Sequence, residues 1–154
     1  MKNIKKRKLM EKRKIIGAGF SIIALVTIGI FIAQTDFSIQ LQSYFSLEYC
    51  MQFVPLIISL LLLFGGVFLF INRPNANFAL ALFGYAALEE ILFDWLGVAS
   101  TYLSTYSIVL FFCCAIAALW IAHSNSFNLK RLSYRELIFS VVFGAVESLL
   151  PNFL

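Results

Sequence analysis

The 154-residue chain is 61% hydrophobic, 16% aromatic and 13% charged, with a mean hydropathy of +0.89 and a formal net charge of +4. A soluble domain is roughly 45–50% apolar and about 25% charged, which excludes an ordinary water-soluble fold. The charge surplus does not indicate a nucleic-acid surface, because it sits in one short arm beside an apolar block, where membrane topology and anionic lipid account for it.

That arm, residues 1–14, carries Lys2, Lys5, Lys6, Arg7, Lys8, Lys12, Arg13 and Lys14. It is expected in the cytoplasm against anionic lipid headgroups. The first apolar block, 15–33, is longer than a signal-peptide core, and bulky Phe31 stands where cleavage wants a small residue. It reads as an uncleaved anchor, and Gly17 and Ser21 form a small-xxx-small step open to another helix. Residues 34–50, with Asp36 and Glu48 but no Lys or Arg, read as an external loop. The second block, 51–71, contains Gly65-Gly66, and Asn72-Arg73-Pro74-Asn75 is a turn. A third block covers 78–98 and a fourth 105–122, joined by an uncharged link. The segment 123–136 carries Lys130, Arg131 and Arg135, and a fifth block, 137–154, is short and contains Glu147.

These readings give an all-α integral membrane protein. It is expected to be a compact bundle of four to five transmembrane helices, one domain over 15–154, with a cytoplasmic N-terminus. Five spans put 8, 1 and 3 basic residues in the three cytoplasmic segments, which accounts for all 12 Lys and Arg. The positive-inside rule is thereby satisfied. A bacterial inner membrane is the expected location.

Four acids sit inside the apolar blocks: Glu89, Glu90, Asp94 and Glu147. Glu89 and Glu90 lie about 17 Å beyond Phe78, near the middle of a roughly 30 Å hydrocarbon core. A charged acid at helix centre costs about 2.5–3.5 kcal/mol on insertion scales. Glu90 and Asp94, four residues apart, share a face, whereas Glu89 is rotated about 100° toward Tyr85, Phe93 and Leu96. Hiding both directions from lipid requires a third helix that is central in the bundle or in an oligomer, and a central third helix is the simplest inference. No Lys or Arg lies in any span. The acids must therefore share protons, hold a cation, contact water, or take hydrogen bonds from Tyr85, Ser140 or Ser148. Desolvation and mutual repulsion favour neutral acids, so at least one of Glu89, Glu90 and Asp94 is expected to be protonated at neutral pH.

The fifth block echoes the third without gaps at an offset of 58. Residues 86–96 align on 144–154, matching Glu89 with Glu147, Asp94 with Asn152 and Trp95 with Phe153. The same offset lays Arg73 on Arg131 and the second span on the fourth. It implies a repeat of helices 2–3 and 4–5, with a shared site between the halves. Cys50, Cys113 and Cys114 show neither disulfide nor zinc spacing. They read as small apolar residues, a Cys113–Cys114–carboxylate metal site being the lesser reading. His123 reads as an interfacial polar residue. No cofactor is called for.

The segment Leu88-Glu89-Glu90-Ile91-Leu92-Phe93 resembles the acidic helix motif of membrane-bound carotenoid cyclases, with Ala87 in place of the proline that usually precedes such glutamates. That resemblance implies acid/base chemistry on a polyene. The leading expectation is proton- or cation-linked transport or channel activity by an oligomer, with Glu89, Glu90, Asp94 and Glu147 as the site and Tyr85 and Ser148 in support. The alternatives are a membrane enzyme using paired carboxylates on a lipid or polyene, and a non-enzymatic subunit, sensor or immunity protein bound to a membrane partner.

Overall fold

The computed structural model describes residues 2–35, 52–98 and 103–149. Residues 36–51, which hold most of the expected external loop, residues 99–102 of the link and the tail 150–154, including the aligned Asn152 and Phe153, lie outside the described residues. Five helices and no strand are found among those described: α1 Lys2–Gln34, α2 Val54–Phe70, α3 Ala76–Trp95, α4 Thr105–Ser124 and α5 Tyr134–Leu149. Three of them are long and apolar enough to cross a membrane, namely α1 from Arg7, α3 and α4; α2 is apolar but shorter.

Local chemistry sets the ends. Asn72, at φ 63°, closes α2 in the left-handed region, and Pro74 cannot continue a helix. The α3 helix stops earlier than hydropathy predicts because Gly97, at φ +68°, closes a Schellman motif. In it Val98 N–H donates to Phe93 O at 2.9 Å and Gly97 N–H to Asp94 O at 3.0 Å. The α5 helix starts earlier than predicted, at a capping box. Ser133 Oγ accepts from Glu136 N–H at 3.3 Å, and Glu136 Oε2 accepts from Ser133 N–H at 2.8 Å.

The expectation of a central third helix agrees with the packing. α1 lies on α2, α2 also on α3, and both α4 and α5 on α3. Eleven residues of α3 are buried, against six of α4 and three of α5. Neighbours in the order α1–α2–α3–α4 run antiparallel. α5 runs parallel to α3: Phe78 meets Phe139 at 6.0 Å between ring centroids, and further along Ala86 meets Gly144.

These pairings gather the three basic segments at one end of the bundle, called here the basic end. Arg13 donates to the Asn72 side-chain oxygen, tying the arm to the α2–α3 turn. Asn77, fully enclosed, donates to Asn125 Oδ1 at 2.8 Å and to the Lys130 carbonyl at 2.9 Å, fastening the start of α3 to the α4–α5 connection. The α1 helix continues without a break from the arm into the first apolar block. Highly exposed aromatics mark both levels: Trp95 (85%) and Tyr106 (90%) at the far end, Trp120 (73%) and Tyr134 (77%) at the basic end. Tyr and Trp favour the two membrane–water interfaces.

Gly17 and Ser21 do receive a helix, and it is α2 of the same chain. A Cβ on Gly66 would stand 2.8 Å from Ser21 N, and one on Gly17 2.7 Å from Phe70 N. Gly65 faces Leu80 of α3. The Gly65-Gly66 pair, compatible in sequence with an oligomer contact, is used inside the protomer. Thr27 donates to Ser59 Oγ at 2.9 Å further along the same seam, where hydroxyls bond across apolar helices.

Two measurements follow. Gly66→Leu should destabilise the bundle in mild detergent by at least about 1–3 kcal/mol, read as a lowered thermal midpoint. Gly29→Leu should change it little, since nothing lies within 4 Å of a Cβ there. At the α5 cap, hydrogen bonding to Lys130 first, and to Ser133 next, holds the Glu136 carboxyl below its usual range. Such an acid contributes stability above its unfolded value of about 4.3, and that contribution fades as pH falls through the lowered value. Amide protection at the start of α5, measured relative to the intrinsic exchange rate at each pH, should fall on acidification of the wild type, and should be low already at neutral pH in Glu136→Ala.

Candidate functional site

The site forms where α3 and α5 cross. Gly144 has no side chain, so the two backbones come close: a Cβ there would stand 2.9 Å from Ala86 Cα and would strike the Glu89 carboxylate. Ala86 and Gly144 are equivalent positions of the offset-58 alignment. The helix starts, Ala76 and Tyr134, differ by the same 58. Glu89 and Glu147 therefore lie at one height, about 20 Å along their helices.

This is nearer the far end than the bilayer middle expected from sequence, because α3 ends at Trp95. The repeat does not extend without gaps to the other helices. An offset of 58 puts Val54, which starts α2, on Phe112, well inside α4. Nor do α4 and α5 form a packed hairpin like α2 and α3, since each rests on α3.

Three of the four expected acids are brought together. Glu90 is 4% exposed, and Glu147 lies within Coulombic range of both Glu90 and Glu89. Glu89 Oε2 and both Glu147 carboxyl oxygens are buried without a hydrogen-bond donor among the described residues. Ser148, 2% exposed, also has an unpartnered Oγ there. Burying such groups costs roughly 1–3 kcal/mol each when unsatisfied, more for a charge. Asp94 is partly exposed in the last turn of α3, one turn beyond Glu90. Glu147 adds to the acids of α3 a carboxylate from a second helix. Ser140 is fully buried but donates to the Glu136 carbonyl at 2.8 Å in its own helix, so it does not serve the acids.

Tyr85 lies within Coulombic range of Glu89, as its place one turn away requires. Its hydroxyl is 3.1 Å from His123 Nε2, with the rings edge to face. Long side chains on a helix lean toward its N-terminus. α3 and α4 are antiparallel, so Tyr85 and His123 lean toward each other. His123, read from sequence as merely interfacial, lines a cleft at the basic end. Tyr85 thus meets His123 of the cleft on one side and stands one helical turn from Glu89 on the other. Sequence gives its chain separation no special spacing; only the helix i, i+4 step from Tyr85 to Glu89 was visible.

The Cys113–Cys114 metal reading fails, since Cys113 is exposed and Cys114 buried. Among the described residues no group of three or more His, Cys, Asp or Glu could hold a metal ion. An apolar groove of about 430 Å³, lined by Leu88, Ile91, Leu92 and Trp95 of α3 with Ile108 and Phe112 of α4, lies on the other side of α3. No protein family, curated protein or solved structure matches the chain, so the site is read from its own chemistry.

Gly144→Val should force α3 and α5 apart at the acids. The expected outcome is a loss of at least about 1–3 kcal/mol in detergent stability, together with access of carboxyl-reactive carbodiimide to Glu89 and Glu147. A crossing with room to spare would leave both unchanged.

Proposed function

We propose that this is a multi-pass protein of the bacterial inner membrane, its basic end in the cytoplasm, that binds and relays protons in proton-linked transport as a homo-oligomer. The observation that carries the reading is the carboxylate cluster between α3 and α5, with buried unpartnered oxygens on Glu89 and Glu147. Ionisable groups at membrane depth commonly mark ion pathways and proton relays.

Five crossings place all the basic segments on one face, which the positive-inside rule assigns to the cytoplasm. His123 then meets cytoplasmic water. A proton taken up on its ring passes to the Tyr85 oxygen while the phenol proton moves toward Glu89. From there it is shared with Glu147 and Glu90. The neutral acid is the form that low dielectric favours, so proton occupancy relieves the cost of burying the cluster.

The chief alternative, acid/base catalysis on a lipid or polyene, is favoured by the apolar groove and by the motif around Glu89-Glu90. The groove, however, borders α4, and the acids face α5. A non-catalytic subunit would use the same acids to contact a partner.

Reconstituted in liposomes with an imposed pH gradient, the protein should carry protons. Glu89→Gln and Glu147→Gln should each lower the flux about a hundredfold, the lower range of a positioned proton-transfer group. Tyr85→Phe should lower it less, as water can replace one phenol. Wild-type flux in both glutamine variants would contradict the relay, and turnover of an added polyene without flux would favour the enzyme.

A further inference from the structure

The cleft at the basic end carries a second site, independent of the acids. It has a volume of about 560 Å³ and lies between the end of α4 and the start of α5. Its polar wall is His123, Ser124, Arg131, Ser133 and the exposed ring of Tyr134, and its apolar wall includes Leu132 and Leu137. Neighbouring Lys130 is taken by Glu136 at 2.6 Å, which also neutralises the one carboxylate at this corner. Arg131 has no carboxylate partner among the described residues, where the ion pairs are Arg7–Glu11 and Lys130–Glu136. His123 engages Tyr85 through Nε2, leaving Nδ1 without a partner there.

We infer that this cleft binds a phosphate group, and that its occupant is the headgroup of an anionic phospholipid. Arg presents a planar fork matched to phosphate oxygens, and the Ser133 and Tyr134 hydroxyls and the imidazole add neutral donors, whereas Ser124 donates to the Trp120 carbonyl at 2.6 Å. Basic pockets between helices at the cytoplasmic interface hold anionic headgroups. The apolar wall suits the glycerol and the first acyl carbons. Exposed Trp120 and Tyr134 put the cleft at the interfacial level, where headgroups lie. The site is distinct from the lipid attraction of the N-terminal arm, which is diffuse and has no cavity.

The chain has one histidine, so its ring signals are assigned without ambiguity, and at fixed pH their saturable change with added lipid reports on the cleft. The test uses the full chain with labelled histidine in nanodiscs of phosphatidylcholine. Adding phosphatidylglycerol should shift the His123 ring resonances saturably, and native mass spectrometry should retain one anionic lipid per protomer. Arg131→Gln should weaken that retention roughly tenfold, the effect of losing one charged hydrogen bond, whereas Arg7→Gln in the arm should not. Inorganic phosphate in neutral nanodiscs separates the sources. A shift with the lipid alone supports the headgroup assignment. An equal shift with millimolar phosphate supports the phosphate site and overturns its lipid occupant. No shift with either overturns the site, and so does equal loss in the Arg131 and Arg7 variants. The wild-type ring signal decides even where Arg131→Gln fails to fold. Proton flux enters none of these readings, so this site and the relay stand or fall separately.

Discussion

The closeness of α3 and α5 at Ala86 and Gly144 is the constraint on which the candidate site depends. Two backbones within van der Waals reach leave no room for lipid or water between them, and the acids one turn further along are sealed together as a result. A larger residue at position 144 would open the seam and let each carboxylate find its own solvent. The cost of the burial is offset elsewhere in the bundle: α3 is held by α2 through Gly65 and Leu80 and by α4 through Phe83 and Phe111. A helix so enclosed can carry acids that a lipid-facing helix could not.

The opposite end is organised by other physics. Asn77 draws the α4–α5 connection onto the start of α3, and Arg13 draws the arm onto the α2–α3 turn. Basic residues from three separate segments are thus assembled at one end of the bundle. At that end His123 lines the cleft, and its ring meets Tyr85 of the adjacent antiparallel helix. Glu89 lies one helical turn further along α3 from Tyr85, within Coulombic range of it.

Much of this was legible in the sequence. Hydropathy located the helices, the charge distribution located the basic end, and the insertion cost of acids in α3 demanded a central position for it. Boundaries were misjudged where local hydrogen bonding overrides hydropathy. Gly97 ends α3 while the apolar run continues to Val98, and Ser133 with Glu136 starts α5 before its apolar run begins. The S-x-x-E pattern of that cap was present in the sequence and would have placed the start. Facing was harder. Periodicity groups residues on one helix, so it paired Glu90 with Asp94. It could not show that Glu147 would complete the cluster from another helix at the same height, although the offset of 58 hinted at it. Asn77 and His123 gave no sign of their partners, because each bonds to a side chain 38 or more residues away along the chain.

The central claim is that Glu89, Glu90 and Glu147 share one buried site that holds a proton. Infrared difference spectroscopy of the membrane-reconstituted protein tests it most directly. A carboxylic-acid C=O band should be present at neutral pH, and it should shift or vanish in both Glu89→Gln and Glu147→Gln, since each acid perturbs the other. Ionised carboxylate bands alone at neutral pH, unchanged between the two variants apart from the loss of one group each, would contradict it.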